Sequence, residues 1–313
     1  MTNYTKKFFS EPLSFMQKYA IAPPNDVAGD RGSTGTDIDT TGFASHLNTN
    51  AAGSVPKSVR YARMMRDHKV AYAKLWKDRQ MGGKSGAEQE GIGVLRFDAD
   101  YADDGSRKPI WFLPWDASTA IVRLTIPPKG TTAEDPDIFF TAAINGCSVF
   151  FQGSQANPTI YHAGGNTGQS DHNEGARFWR EALRKHMANS ASARAKGDIV
   201  AEVNKTQYVK MPGTKGNSST AQAEEYERML KAKLDKAGKF TVTMVNPWGC
   251  VMGIRTGTLW TFYLQENATV ICSIVTKQGV QTRYYARPMS IRTIFPGSSA
   301  IASMRMKVPV KVT

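Results

Sequence analysis

The sequence predicts an α+β sandwich of mixed, largely antiparallel β-sheets with flanking helices and an N-terminal extension. Three features of its patterning lead there. From about residue 91 the chain advances in short apolar runs that end at turn residues. Two amphipathic helical stretches then interrupt it, and residues 239–312 return to closely spaced strands. Strands, helices and strands again, without an alternating βαβ rhythm, make segregated layers rather than a doubly wound sheet.

Residues 1–55 are rich in Gly, Ser, Thr, Asn and Asp, and only a short helix near residues 13–19 is expected among them. Residues 57–80 carry Val59, Ala62, Met65, Val70, Ala73 and Trp76 on one stripe, surrounded by Arg60, Arg63, Arg66, Lys69, Lys74 and Lys77. That pattern predicts a basic helix, either an arm for nucleic acid or anionic membrane or a solvated helix with one face on the body. The expected division is therefore an extension over residues 1–90 and a main domain over residues 91–313. Within the latter, residues 92–97, 110–113 and 120–126 read as strands. A helix capped near Asp171 or Asn173 presents Ala176, Trp179, Leu183 and Met187 on one stripe. A second helix is expected from the capping box Ser219-Thr220-Ala221-Gln222 to Gly238. Residues 240–244, 259–264, 268–276, 280–286 and 290–295 read as an antiparallel meander, with Asn246-Pro247-Trp248-Gly249 as a turn.

Composition narrows the class. The 313 residues are 41% hydrophobic and 10% aromatic, values of a globular chain rather than a disordered one. No apolar run is long enough to span a bilayer as a helix. Glu11 and Pro12 cut short the Phe8-Phe9 patch behind Lys6 and Lys7, so a Sec-type signal peptide is not expected and any export uses another route. Cys147, Cys250 and Cys272 are too few and too scattered for a disulfide framework or a zinc site, and no metal or cofactor is expected. Cys250 and Cys272, in strand-like runs, read as small buried hydrophobes. The net charge of +13 favours acidic partners: nucleic acid, anionic membrane or an acidic protein.

The chemistry concentrates in residues 139–164. Two apolar runs flank an Asn145-Gly146-Cys147 corner, and His162 follows the cysteine by 15 positions. A hairpin through residues 153–158 delivers the histidine alongside the strand that leaves the cysteine. A thiol beside an imidazole is a nucleophile with its base. Backbone N–H groups at Asn145 and Gly146 are candidate oxyanion donors, with Ser148 or Thr141 as a further hydroxyl. On these residues alone protease, deamidase, transglutaminase and esterase chemistry all stay open. So does a basic binding module without catalysis.

The order Thr141, Ile144-Asn145-Gly146-Cys147, His162 resembles the active site of the cytotoxic necrotizing factor and Burkholderia lethal factor family of glutamine deamidase toxins. The match covers roughly residues 138–164, with Ile144-Asn145 standing where that family has Leu-Ser. The resemblance implies a compact α/β sandwich in which Cys147 is the nucleophile, His162 the general base and acid, and Thr141 an assisting hydroxyl, with a backbone carbonyl rather than Asp116 orienting the histidine. It also implies a secreted protein that acts in a host cytosol on a host protein, a Rho-family GTPase or a DEAD-box translation-initiation helicase, and needs no cofactor.

Overall fold

The structure, a computed structural model, describes residues 3–24, 70–77, 94–100, 102–115, 121–164, 172–189, 191–204, 208, 228, 240–277, 279–297 and 299–303. Their elements in chain order are α1 (Asn3–Ser10), α2 (Pro12–Lys18), β1 (Ala20–Ala22), β2 (Val70–Lys77), β3 (Val94–Asp100), β4 (Lys108–Leu113), β5 (Ile121–Thr125) and β6 (Ile138–Thr141). There follow β7 (Ser148–Ser154), β8 (Asn157–Ala163), α3 (His172–Asn189), α4 (Ala191–Arg194), β9 (Ile199–Val203), β10 (Phe240–Thr256), β11 (Leu259–Thr276), β12 (Gly279–Phe295) and β13 (Ser299–Ser303).

Alternation of side chains along each strand divides these elements into four layers. One sheet runs β1-β3-β2-β4-β6-β10-β11-β12-β13 and the other β5-β8-β7-β9. Only β1 with β3 and β4 with β6 pair in parallel; the other neighbours are antiparallel. The sheets face each other across a core in which Leu113, Phe139 and Phe262 of the larger meet Val122, Val149 and Phe151 of the smaller. Behind the large sheet, Phe8, Phe15 and Met16 of α1 and α2 cover Ala73, Ile110 and Phe140. Behind the small sheet, Trp179 and Leu183 of α3 cover Phe150 and Tyr161. The result is the expected α+β sandwich, arranged helix, sheet, sheet, helix.

The expected division of the chain is corrected in two places. Residues 70–77 form strand β2, not part of a basic helix. Ala71, Ala73 and Leu75 are buried while Tyr72, Lys74 and Trp76 are not, a period of two that the longer helical stripe obscured. The remainder of the expected helix, residues 57–69 and 78–80, lies outside the described residues, as does the helix expected over 219–238 except for Arg228. Nor do residues 3–22 stand apart from the main body. β1 pairs with β3 from Ala20↔Val94, and Thr5 reaches over the end of β2, where its Oγ1 accepts from Leu75 N at 2.9 Å and donates to Leu75 O at 3.3 Å. There β2 has run past its last partner on β4, Lys108, so the hydroxyl satisfies backbone that the ladder leaves open.

The meander also differs in detail. Its strands are long, and expected turns lie inside them. Asn246 to Gly249 runs inside β10, paired with Thr269 to Glu266 of β11. Pro247 is tolerated because β6 meets β10 only at Met252 to Ile254, which leaves the other edge of Pro247 outside that ladder. A register shift at Glu266/Asn267, opposite Ser290 and Pro288, replaces the second break. Trp248 is a core anchor whose Nε1 donates to Thr269 Oγ1 at 2.9 Å.

Gln265 of β11 joins the N-terminal helices to the sheet. Fully buried, it donates from Nε2 to the carbonyls of Met16 and Tyr19, both at 2.7 Å, and its Oε1 accepts from Ile21 N at 3.1 Å. The carbonyls belong to the end of α2, where helical partners run out. Gln265→Met keeps the volume but strands these groups in an apolar layer. We expect a loss of roughly 3 kcal/mol in urea unfolding, together with faster proteolysis within residues 1–22. A loss under about 0.5 kcal/mol, the range of ordinary surface substitutions, would show that the N-terminal helices dock without this glutamine.

Candidate functional site

The cysteine lies where the chain leaves one sheet for the other. β6 alternates, with Ile138 and Phe140 toward α1 and α2 and Phe139 toward the inter-sheet core. Thr141 continues on the inter-sheet side. Beyond it Ala142 N donates to Leu113 O at 2.8 Å, and Ile144 exchanges two backbone bonds with Gly249 of β10, at 2.7 and 2.9 Å. This bridge is the last hold of the large sheet on the segment. Asn145 is then exposed, Gly146 turns with φ of +107°, a conformation that favours glycine, and Cys147 enters β7.

Register places Cys147 and His162 on one face of the small sheet. Val149 is paired with His162, and His162 in turn with Val122 of β5. Val149 and Val122 both belong to the inter-sheet core, so His162 points there as well. Cys147, two positions before Val149, is a member of the same core. It stands one diagonal step from His162, a separation of roughly 7–8 Å between backbone positions. Thr141 faces this layer from the opposite sheet. Ser148 does not: it alternates outward with Phe150, and its partner Ala163 lies in the core beneath α3.

Burial sets the electrostatics. His162 is 1% exposed, and neither ring nitrogen has a hydrogen-bond partner. Loss of hydration pushes its pKa down from 6.5 to about 3, against a smaller opposing pull from the nearby Pro114 carbonyl, which makes no well-formed bond to the ring. The imidazole is thus neutral at physiological pH, the form able to accept a proton. Cys147 is 6% exposed and in no disulfide. Thr141 has its hydroxyl engaged, donating to Ala142 O at 2.8 Å and accepting from Val251 N at 3.2 Å.

Tyr208 completes the site and was not singled out in the sequence. Its buried phenol accepts from Gly146 N at 3.0 Å and donates to Cys147 O at 2.6 Å, which fastens both peptides of the corner. Burial holds its pKa far above the ordinary tyrosine value, so it stays a donor. One expected oxyanion donor, Gly146 N–H, is therefore occupied by the phenol, while Asn145 is exposed. Tyr208 lies too far along the chain from Cys147 for any local motif to signal it. His172 opens α3, and Asp116 lies outside the described residues. Among the described residues no three His, Cys, Asp or Glu side chains gather as a metal site requires.

No family model matches the chain, and no curated protein sequence matches it. Among solved structures it is similar to the C-terminal domain of CNFy from Yersinia pseudotuberculosis, at 10% identity and a TM-score of 0.27, over 82% of this chain and 98% of that domain. A likeness of that level carries no argument about activity.

Two substitutions test the geometry. Tyr208→Phe leaves Gly146 N–H and Cys147 C=O without their partner, and we expect a loss of about 2 kcal/mol in urea unfolding. An unchanged midpoint would show that the phenol contributes nothing to the corner. For His162, the unfolded chain takes up a proton below pH 6.5 and the folded chain does so only near 3, so stability falls as pH drops through that window. The slope should approach about 1 kcal/mol per pH unit. His162→Leu removes this component and two unbonded nitrogens, so at pH 7 it should be at least as stable as the wild type. Parallel pH profiles for the two proteins would contradict a buried neutral imidazole.

Proposed function

We propose that the protein is a toxin or effector that deamidates a glutamine side chain of a host protein through Cys147 and His162. The observation that carries this reading is the shared face: a thiol and a neutral imidazole without hydrogen bonds lie one diagonal step apart on the side of the small sheet that faces the apolar inter-sheet layer. A buried imidazole without hydrogen bonds is costly to stability, by about 1–3 kcal/mol for each unsatisfied polar group. Such costs concentrate at sites retained for chemistry.

In the proposed reaction His162 takes the proton of Cys147, and the thiolate sulfur attacks the carboxamide carbon of the glutamine. The C–N bond of the tetrahedral adduct breaks, the nitrogen leaves as ammonia with the proton returned from His162, and a thioester remains. Water, deprotonated by the same imidazole, hydrolyses the thioester to a carboxylate and restores the thiol. The oxyanion forms beside the 145–147 corner. Gly146 N–H can serve it when the Tyr208 phenol shifts, and the exposed Asn145 carboxamide offers a second donor. Thr141 supports the reaction by tying β6 to β10 behind the site rather than by meeting the substrate with an unoccupied hydroxyl. By resemblance the substrate is a Rho-family GTPase or a DEAD-box translation-initiation helicase, reached in the host cytosol after export without a Sec signal.

Cys147→Ser keeps the shape and removes the thiolate. Incubated with candidate targets, the wild type should add about one dalton per modified glutamine without backbone cleavage, and Cys147→Ser should lower the rate at least about a thousandfold. Intact mass measurement and peptide mapping read both. Cleaved targets, or amine-adduct masses, would reassign the pair to a protease or a transglutaminase, and activity in Cys147→Ser would remove Cys147 from the mechanism.

A further inference from the structure

The outer face of the small sheet, behind His162, carries a second polar cluster. Thr125 of β5 is paired with Thr159 of β8, and Arg123 with Tyr161, so these four side chains tile one face two by two. Lys196, in the turn after α4, reaches over them: its Nζ donates to Thr125 Oγ1 at 2.7 Å and to Thr159 Oγ1 at 2.9 Å, and the two hydroxyls are 3.0 Å apart.

The turn that bears Lys196 is held from beneath. Gln152, fully buried in β7, donates from Nε2 to Ala193 O at 2.8 Å and to Gly197 O at 2.7 Å, on either side of the lysine. Its Oε1 accepts from Tyr161 Oη at 2.6 Å. A buried amide and a buried phenol thus place one half-exposed ammonium over two hydroxyls.

The donor and acceptor count does not close. The ammonium has three donors and uses two. Of the two threonine hydroxyls one can donate to the other, which leaves one proton without an acceptor. The Arg123 guanidinium brings five more N–H donors, one of them directed at the Tyr161 phenol, and no acceptor. Neither Arg123 nor Lys196 has a carboxylate partner among the described residues. The cations repel each other, and burial together with Arg123 lowers the Lys196 pKa from 10.5 to about 8. A surplus of donors around two cations that lack a carboxylate partner among the described residues, with Thr159 buried and Arg123, Thr125 and Lys196 partly exposed, matches a ligand that only accepts and carries more than one negative charge.

We propose that Arg123, Lys196, Thr125 and Thr159 form a binding site for a phosphate group, taken as inorganic phosphate or as a small phosphate monoester. The guanidinium and ammonium supply charge, the hydroxyls supply direction, and Gln152 and Tyr161 hold the geometry. The site lies on the opposite side of the sheet from Cys147 and does not depend on the reaction assigned there.

Titration of the full chain with inorganic phosphate, followed by amide NMR and calorimetry against sodium chloride at matched ionic strength, tests it. The expected result is saturable binding that shifts the amides of Thr125, Thr159, Lys196 and Gly197 and weakens at least tenfold in both Lys196→Met and Arg123→Gln. Both variants change half-exposed side chains and should unfold within a narrow range of the wild type, which a urea titration confirms. Glycerol 3-phosphate in a parallel arm separates the sources: tighter binding than phosphate points to an organic monoester, equal binding to the ion itself. Shifts confined to other surfaces, no saturable binding, or equal affinity in folded Lys196→Met and Arg123→Gln would overturn the site.

Discussion

The corner from Ile144 to Cys147 is the constraint on which the rest of the site depends. Here the chain passes from the larger sheet to the smaller one, and a passage between two packed sheets has to be fastened to both. The Ile144–Gly249 bridge fastens it to β10, and the Tyr208 phenol fastens Gly146 and Cys147 from the other side. Gly146 supplies the positive φ between these two holds. With both ends fixed, the cysteine enters β7 in a single register, and a slip of one residue would turn the thiol away from the imidazole.

The layer that receives those two groups is apolar, and that decides the protonation of the imidazole. In water an imidazole would sit near its ordinary pKa. Between the sheets, desolvation penalises charge, so His162 stays neutral. In the proposed reaction the substrate brings a polar group into this layer. The same low-dielectric surroundings strengthen each donor that reaches a developing oxyanion.

The N-terminal helices and β2 are part of this support rather than an appendage. They cover the back of the large sheet, and Gln265 and Thr5 close the polar groups that α2 and β2 leave open. Near the site, Arg255 of β10 clamps the approach to β6, with Nε donating to Asp137 at 2.8 Å, a second contact to Asp135, and its guanidinium over the Trp260 ring at 5.2 Å. β6 is therefore held at its start by a buried cation and at its end by Thr141.

The sequence by itself determined the sandwich class and the β7–β8 hairpin that carries His162, because turn residues and a period of two are local signals. It also marked Gly146 as the corner. It did not separate the alternation in residues 70–77 from a longer helical stripe, because apolar side chains at mixed spacings satisfy both periods until a neighbouring strand chooses. It placed Ser148 at the site by adjacency, whereas the pleat sends that side chain to the other face. Only the tertiary structure could bring in Tyr208 and the cluster around Lys196, since each joins residues distant along the chain. It also decided that the histidine is buried and neutral, because the pKa of an imidazole is set by what packs over it, and here that is the face of the other sheet.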